Sequence, residues 1–308
     1  MKEKLIEFLR SLSRYDAGLY LRLYYRLKNQ QRLYKKHPDD RKFLEMMYKN
    51  QTGRELDLEN PQRFTEKLQW LKLYNHNPLT SQCADKFLVR DYIESKGYGD
   101  LLNELLAHVE DVDDLDIDSL PERFVVKAAH SSAMNFICND KKSVNWKSKK
   151  RIFKLWLKLN LYLDGREWVY KNLKPSIVVE KYLEDDSGYL RDYKFFCMNG
   201  KVAFVQADED RYSDHKQSYY STEWEKLDFT TGVKDCEVKR PENLEKMLEI
   251  ASRLSEDFPF VRVDLYNCNG RIYFGELTFF GGSGFYSFDP DEYDFRFGSM
   301  VRLPEKTV

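Results

Sequence analysis

Two carboxylates near the C-terminal end are the first residues that suggest chemistry. Asp264 lies in FVRVDLY and Glu276 in RIYFGELTF, two β-rich stretches joined by NCNG, whose Asn269-Gly270 pair is a tight-turn signal. Antiparallel strands joined in this way can set two such positions side by side on one face. Carboxylates from neighbouring strands, with room left for water and phosphate oxygens, are what Mg²⁺ accepts. Arg262 precedes Asp264 by two residues, so it projects from the same face and offers a bidentate grip for a phosphate or a carboxylate. The alternative is an Arg–Asp–Glu ion-pair cluster, and the hairpin alone leaves both readings open.

Lys127 is the next residue of interest, in FVVKAAHSSAMNFIC. An ammonium in an apolar strand is costly unless it finds a partner or snorkels to solvent. A loop of small residues follows at once, Ala128 to Ala133. Small side chains let backbone N–H groups approach phosphate oxygens, and the hydroxyls of Ser131 and Ser132 can donate as well. Glu180 ends the apolar run SIVVE, where a carboxylate can accept from a purine amino group while the backbone beyond it pairs with the ring edge. Lys194, in RDYKFFCMNGKVAFVQ, is a candidate second phosphate contact. For Glu180 and Lys194 a surface salt bridge is the plain alternative.

The elements that must position these residues follow from periodicity. Residues 1 to about 105 read as helical: Leu5, Phe8, Leu9 and Leu12 recur at helical spacing, followed by Leu19, Leu23, Tyr24 and Leu27. Their mix with Lys and Arg would suit a membrane surface or a partner, but packing on the chain's own domain is the favoured reading. The spacer LLNELLAHVEDVDDLDIDSLPE reads as an acidic loop, without the glycine of a calcium loop. FVVKAA, NFIC and SIVVEKYL read as strands. The basic-aromatic stretch SVNWKSKKRIFKLWLKLNLYL reads as a helix with a buried stripe rather than a nucleic-acid surface. A hairpin turns at Asn199-Gly200, SYYSTEWEKLDF adds a strand or hairpin, and RPENLEKMLEIASRLSEDF is a helix with Pro241 near its first turn.

Composition narrows the class. With 21 Tyr and 20 Phe in 308 residues the chain has a core to bury, which excludes wholesale disorder. Lys+Arg (50) nearly balance Asp+Glu (51), so a nucleic-acid partner is not expected. No stretch reads as a membrane span, and the N-terminus lacks the apolar core of a signal peptide. Five dispersed cysteines with no CxxC pair argue against zinc and a disulfide framework, so a reducing cytoplasm is the expected location. Helices come first, then mixed strands and helices, which makes the class α+β.

The residues carry more meaning in order than singly. A lysine strand is followed by a small-residue loop, a strand ending in Glu, a second lysine strand, and a hairpin bearing Asp and Glu. This order resembles the ATP-grasp superfamily. More narrowly, PQRFTEKLQWLKLYN, ADKFLVRDYI, LPERFVVKAAH, SIVVEKYL, RDYKFFCMNGKV, FVRVDLYNCNGRIYFGELTF and Gly281-Gly282-Ser283-Gly284 resemble the TupA-like ATP-grasp family, linked to teichuronopeptide and capsular polysaccharide synthesis. The resemblance runs from about residue 61 to 298.

It implies two α+β subdomains clasping ATP, with a helical region at 1–105, a lid subdomain at 106–183 and a metal and substrate subdomain at 184–308. It further implies that Lys127 and Lys194 contact ATP phosphates, with Ser131 and Ser132 in the loop beside them. Glu180 would face the adenine amino group, with the backbone of Lys181 to Leu183 at the ring. Asp264 and Glu276 would hold Mg²⁺, and Arg262 would steady the transferred phosphate. The chain departs from the usual pattern in two places. Its phosphate loop, Ala129-His130-Ser131-Ser132-Ala133, has no glycine, and the metal motif reads Glu276-Leu277-Thr278.

The implied activity is an ATP-dependent carboxylate–amine ligase that passes through an acyl-phosphate. The acceptor would be a uronic acid of a surface polysaccharide precursor or nucleotide sugar, and the donor an amino acid or small amine. A peripheral contact with a membrane-associated assembly fits the same pathway. One competing reading is a glycosyltransferase using Asp208-Glu209-Asp210, which here lacks the αβ repeat such enzymes place before that motif. The other is an inactive ATP-grasp nucleotide-binding protein. A protein kinase fits poorly, because there the glycine loop precedes the lysine.

Overall fold

The computed structural model describes residues 14–186, 190–209 and 216–307. The Leu5–Leu12 stripe and Asp210 lie outside the described residues. Nine helices of the described chain matter here: α1 (Arg14–Lys36), α2 (Asp40–Thr52), α3 (Phe64–Tyr74), α4 (Pro78–Ala84), α5 (Val89–Ser95), α6 (Trp146–Trp156), the single turn α7 (Tyr162–Gly165), α8 (Leu244–Ser255) and α9 (Glu292–Met300). The strands are β1 (Leu105–Val109), β2 (Phe124–Ala128), β3 (Asn135–Cys138), β4 (Ile177–Lys181), β5 (Arg191–Met198), β6 (Lys201–Glu209), β7 (Lys216–Tyr220), β8 (Phe260–Cys268) and β9 (Arg271–Thr278).

The strands form two antiparallel sheets, ordered β1-β4-β2-β3 and β7-β6-β5-β8-β9. In the smaller sheet, Phe124, Val126 and Ala128 alternate into a core shared with Ile177 and Val179. Helix α6 closes that core with Ile152, Phe153 and Trp156, so its aromatic stripe is buried as its spacing predicts. The helix ends at Trp156, however, and the residues to Leu161 turn rather than continue it.

Helix α1 packs on this same subdomain. Leu23 joins the core, and Asp16 accepts from Ser148 Oγ at 2.8 Å and from Lys149 Nζ at 2.5 Å. The apolar stripe of α1 is therefore spent on its own protein. Among the described residues no helix is long and apolar enough to cross a membrane.

One expectation needs correction. The spacer read as an acidic loop begins with a strand: Leu105 to Val109 pairs with β4 at the sheet edge. Only its acidic half, from Asp111, is loop and 3₁₀ turn. The strand is five half-buried residues with little alternation, so its context outweighed a weak pattern.

The larger sheet has two unlike faces. Tyr193, Phe195, Val205, Val261, Val263 and Leu265 point to a core covered by α8. Helix α8 begins at Leu244, three residues beyond Pro241. The opposite face is apolar at one end, where Phe196, Phe204 and Phe260 pack with α3 and α9, and polar at the other. Both hairpin turns sit where Asn-Gly pairs require them, with φ of +49° and +79° at Asn199-Gly200 and +52° and +81° at Asn269-Gly270.

Candidate active site

The polar end of the larger sheet carries the hairpin carboxylates. In the β8–β9 ladder Asp264 stands directly opposite Glu276, and Arg262 directly opposite Thr278. All four side chains therefore share one face. The register slips by one residue after Asp264, and Gly275 is the extra residue. A Cβ there would lie 2.9 Å from the Asp264 carbonyl oxygen, so the bulge needs glycine.

Arg262 grips Asp264 with both prongs, Nε to Oδ1 and Nη2 to Oδ2, each at 2.6 Å. Its Nη2 also reaches Thr278 Oγ1 at 3.1 Å and Glu276 Oε1 at 3.3 Å. Asp264 is 3% exposed, while the Glu276 side chain keeps 34% of its surface. Burial pushes the Asp264 carboxyl up to about 7, with the Arg262 charge pulling the other way. The cluster expected as an alternative to a metal site is therefore formed, and it leaves Glu276 open to a cavity.

The two carboxylates suit Mg²⁺ as a pair. They supply hard oxygen donors from adjacent strands, and phosphate and water oxygens would complete the shell. Among the described residues no group of three or more His, Cys, Asp or Glu gathers to hold a metal by protein alone. Asp264 and Glu276 are the residues that would hold Mg²⁺ here, together with oxygens from outside the protein.

The cavity has a volume of about 590 Å³ and lies between the two sheets. Arg262, Asp264, Glu276 and Thr278 form one wall; Lys127, Ser132 and Ala133 face them from the smaller sheet and its loop. Lys127 alternates away from the β2 core, as an ammonium on an apolar strand must. Its Nζ donates to Glu180 Oε2 on β4 at 2.6 Å. The phosphate and adenine residues of the expected site are thus brought together as a partly buried ion pair.

Other expected residues lie elsewhere. Among the described residues, the cavity wall does not include Ser131, Glu180, Lys181, Leu183 or Lys194. Ser131 is 1% exposed, and its Oγ has no hydrogen-bond partner. The Lys181 backbone is engaged on both sides: its N–H donates to Glu104 O at 3.0 Å and its carbonyl accepts from Asn103 Nδ2 at 2.8 Å. A ring edge meeting Lys181 would have to displace these bonds. Leu183 is half-buried just beyond β4.

Lys194 points to the same face as Asp264, its register partner on β8, and is equally buried. It donates to Asp208 Oδ2 at 2.5 Å and to Asp192, both nearly buried. Burial lowers its pKa, yet these aspartates and Asp264 outweigh that and leave it raised. Asp208 is thus spent on Lys194 and on Gln206, which donates to its Oδ1 at 2.7 Å.

The glycine-free loop is held by His130. Its Nδ1 accepts from the Ser176 N–H at 3.3 Å and its Nε2 lies 3.2 Å from Trp156 O, which assigns the proton to Nε2. Ala133 takes the left-handed conformation, φ +58°, that glycine would occupy freely.

Several cavity residues carried no spacing signal. Lys86 follows Asp85, whose Oδ1 accepts from the Phe87 and Leu88 N–H groups and shapes the turn. The Lys86 N–H donates to Ala129 O at 3.0 Å and its Nζ to Ser131 O. Burial and the neighbouring Lys127 lower its pKa, while Glu276 opposes them. With Lys127 it lines the same cavity as Asp264 and Glu276. Arg26 of α1 and Gln51 of α2 reach the far end, beside Asp164 and Glu167. The quoted segment ADKFLVRDYI contains Lys86, and its position before an amphipathic run was the one available clue.

A family match covers most of the chain. The family model described as TupA-like ATPgrasp matches residues 66–302. Among solved structures, the D-alanine–D-alanine ligase from Bacillus anthracis is 15% identical with a TM-score of 0.39, over 64% of this chain and 56% of that one. The D-alanine–D-alanine ligase from Helicobacter pylori is 14% identical with a TM-score of 0.39, over 73% and 59%. Phosphoribosylamine–glycine ligase from Thermotoga maritima is 12% identical with a TM-score of 0.40, over 65% and 48%. The aligned part covers only about half of each of these structures. The comparison with curated proteins found no match. The family match spans most of the chain, with two antiparallel sheets facing each other across a cavity, and the chain belongs to the TupA-like ATP-grasp family and has its α+β fold.

Proposed function

We propose that the protein is an ATP-dependent carboxylate–amine ligase. The observation that carries this reading is the pairing of Asp264 with Glu276 on one wall of a cavity whose other wall presents Lys127 and Lys86. Cations opposite carboxylates suit a polyphosphate bridged to the protein by Mg²⁺. A carboxylate is a poor electrophile, since its leaving group would be oxide. Its oxygen attacks the γ-phosphorus of ATP, the Pγ–O bond to ADP breaks, and an acyl-phosphate results. An amine then attacks the acyl carbon, the C–O bond to phosphate breaks, and phosphate leaves as the amine loses a proton.

In this reading Lys127 releases Glu180 to meet the phosphates, and Lys86 meets them from the α4–α5 turn. Glu180 and the backbone from Lys181 to Leu183 receive the adenine. Ser132, on the cavity wall, borders the phosphates, and Arg262 steadies the group in transfer. Lys194 acts through its charge and its hold on Asp192 and Asp208, beside Asp264, rather than by touching phosphate. Mg²⁺, when bound by Asp264 and Glu276, supplies charge neutralisation at the phosphates. Water has to be kept from the acyl-phosphate during turnover, because it would hydrolyse the intermediate.

The acceptor is a uronic acid of a surface polysaccharide precursor or nucleotide sugar, and the amine an amino acid or small amino alcohol. The test is ADP release from Mg–ATP that requires both partners, with a product whose mass is acid plus amine less one water. A second reading, nucleotide binding without turnover, is favoured by Ala133 in the left-handed position of the phosphate loop. It predicts ATP binding with no ADP release from any pair.

A further inference from the structure

Beside the metal hairpin, the segment Gly281–Gly284 makes one turn in which three successive residues are left-handed. Gly282, Ser283 and Gly284 have φ of +56°, +54° and +70°. Glycine enters this region freely, but a residue with a side chain stays there only where its surroundings over-determine it.

Helix α3 supplies those surroundings. Lys72 Nζ donates to Ser283 O at 2.8 Å and Ser283 Oγ at 3.0 Å, and also reaches Gly165 O at 3.0 Å and Gln69 Oε1 at 2.9 Å. Gln69, one turn earlier on the same helix, donates through Nε2 to Gly284 O at 3.2 Å and Ser283 O at 3.3 Å. Gln69 is fully buried and Lys72 is 2% exposed. The Phe285 ring lies 5.0 Å from the ammonium.

This arrangement is costly. Burial lowers the Lys72 pKa to about 8, with the Glu167 charge opposing it. A hydrophobic side chain would fill the same volume without desolvating a charge. What it could not do is bind carbonyls from two segments at once. Through Ser283 and Gly165 the same ammonium ties the left-handed turn to α7, the turn that carries Asp164. Gly281, Gly282, Ser283, Asp164, Gly165 and Glu167 all line the cavity.

We infer that Lys72, with Gln69, is a positioning residue that holds the Gly282–Gly284 turn and the Gly165 turn at a fixed separation, and so shapes the end of the cavity that seats the acceptor beside Glu276. The word acceptor rests on the ligase reading above; the clamp itself does not.

The experiment compares wild type with Lys72→Met, Lys72→Arg and Gln69→Leu. Hydrogen exchange is followed over residues 162–167 and 280–286. ADP release is followed with D-glucuronate or D-galacturonate plus glycine or ethanolamine. Lys72→Met strands buried carbonyls, so exchange in both segments should rise about tenfold or more, while the stabilisation by Mg–ATP is retained. The KM for the uronic acid should rise by about tenfold with that for ATP within about twofold, since only one end of the cavity is disturbed. Lys72→Arg should recover part of both effects. If Lys72→Met does not fold, Gln69→Leu, which removes no charge, should show the same pattern more weakly. Unchanged exchange in both segments of a folded variant would overturn the clamp. So would loosening spread evenly over the protein, or equal changes in both KM values. Absence of ADP release from wild type with every pair counts against the ligase reading alone, and the exchange data then decide the clamp.

Discussion

Lys127 on β2 donates to Glu180 on β4 at 2.6 Å, across two strands whose register sets Lys127 opposite Val178 and Glu180 opposite Val125. The two residues expected at opposite ends of a nucleotide are each other's partner in this structure. Binding must exchange this ion pair for contacts with ATP. Lys127→Met should weaken ATP by about tenfold or more, the scale of a lost charge-assisted hydrogen bond. Glu180→Ala separates two roles. If Glu180 reads the adenine amino group, ATP affinity falls; if it is only a counter-ion, freeing Lys127 leaves ATP affinity equal or higher. Calorimetric titration of both variants decides the matter.

Glu276 and Asp264 call for different substitutions. Glu276 is partly open and shares Arg262 only at 3.3 Å, so Glu276→Gln should cost little stability. It should abolish Mg²⁺-dependent turnover. Asp264 is buried in the Arg262 fork, and Asp264→Asn removes the closer of that guanidinium's two carboxylate partners. Loss of about 3–5 kcal/mol is expected there, so inactivity of Asp264→Asn alone would not separate metal binding from folding. Full activity of Glu276→Gln would contradict the metal assignment.

Acid should destabilise the phosphate loop. Burial lowers the His130 pKa from its ordinary 6.5, and the neutral ring uses Nδ1 as an acceptor. Below pH 6.5 the unfolded chain takes up a proton that the folded one resists, so stability falls as pH falls. Each such histidine contributes at most about 1.4 kcal/mol per pH unit. His76, also lowered by burial, acts with the same sign. The buried Asp264 carboxyl, raised to about 7, acts with the opposite sign over this range, so the contrast between variants is what reads His130. Melting temperatures measured between pH 5 and 7 should fall more, or rise less, toward acid in wild type than in His130→Asn, and identical pH slopes in the two proteins would contradict the assignment.

The seam between α9 and α3 has no spare room. A Cβ on Gly298 would fall 2.1 Å from Gln62 O and 2.7 Å from the Phe64 nitrogen, both backbone atoms. The same seam buries Asp294 against the Thr65 N–H and hydroxyl. Gly298→Ala should lower stability by about 1–3 kcal/mol or more, as overpacking does. Urea denaturation will show it; a change under about 0.5 kcal/mol, the scale of neutral surface substitutions, would mean that the helices part without cost.

Local signals exposed some of this site and long-range contacts hid the rest. The Asn199-Gly200 and Asn269-Gly270 turns were legible because their side chains set the backbone themselves. From the second turn followed the facing of Asp264 and Glu276, although the Gly275 bulge that completes it was not apparent. Lys86, Arg26 and Gln51 come from segments far from the hairpin in sequence, and no periodicity links them to it. A salt bridge of Lys194 was legible, since Asp192 lies two residues away on the same strand face, but it was expected at the surface and is buried. Its second partner, Asp208, depends on the β5–β6 register.

The central claim is that this cavity binds ATP with Mg²⁺. The most direct test is the thermal stability of the protein with ATP, GTP, UDP-glucose and GDP-mannose, each with and without Mg²⁺. A ligand that binds only the folded state raises the melting temperature by mass action. The account predicts a rise with ATP and Mg²⁺ together, reduced in Lys127→Met and in Glu276→Gln. A rise with a sugar nucleotide and none with ATP would contradict it.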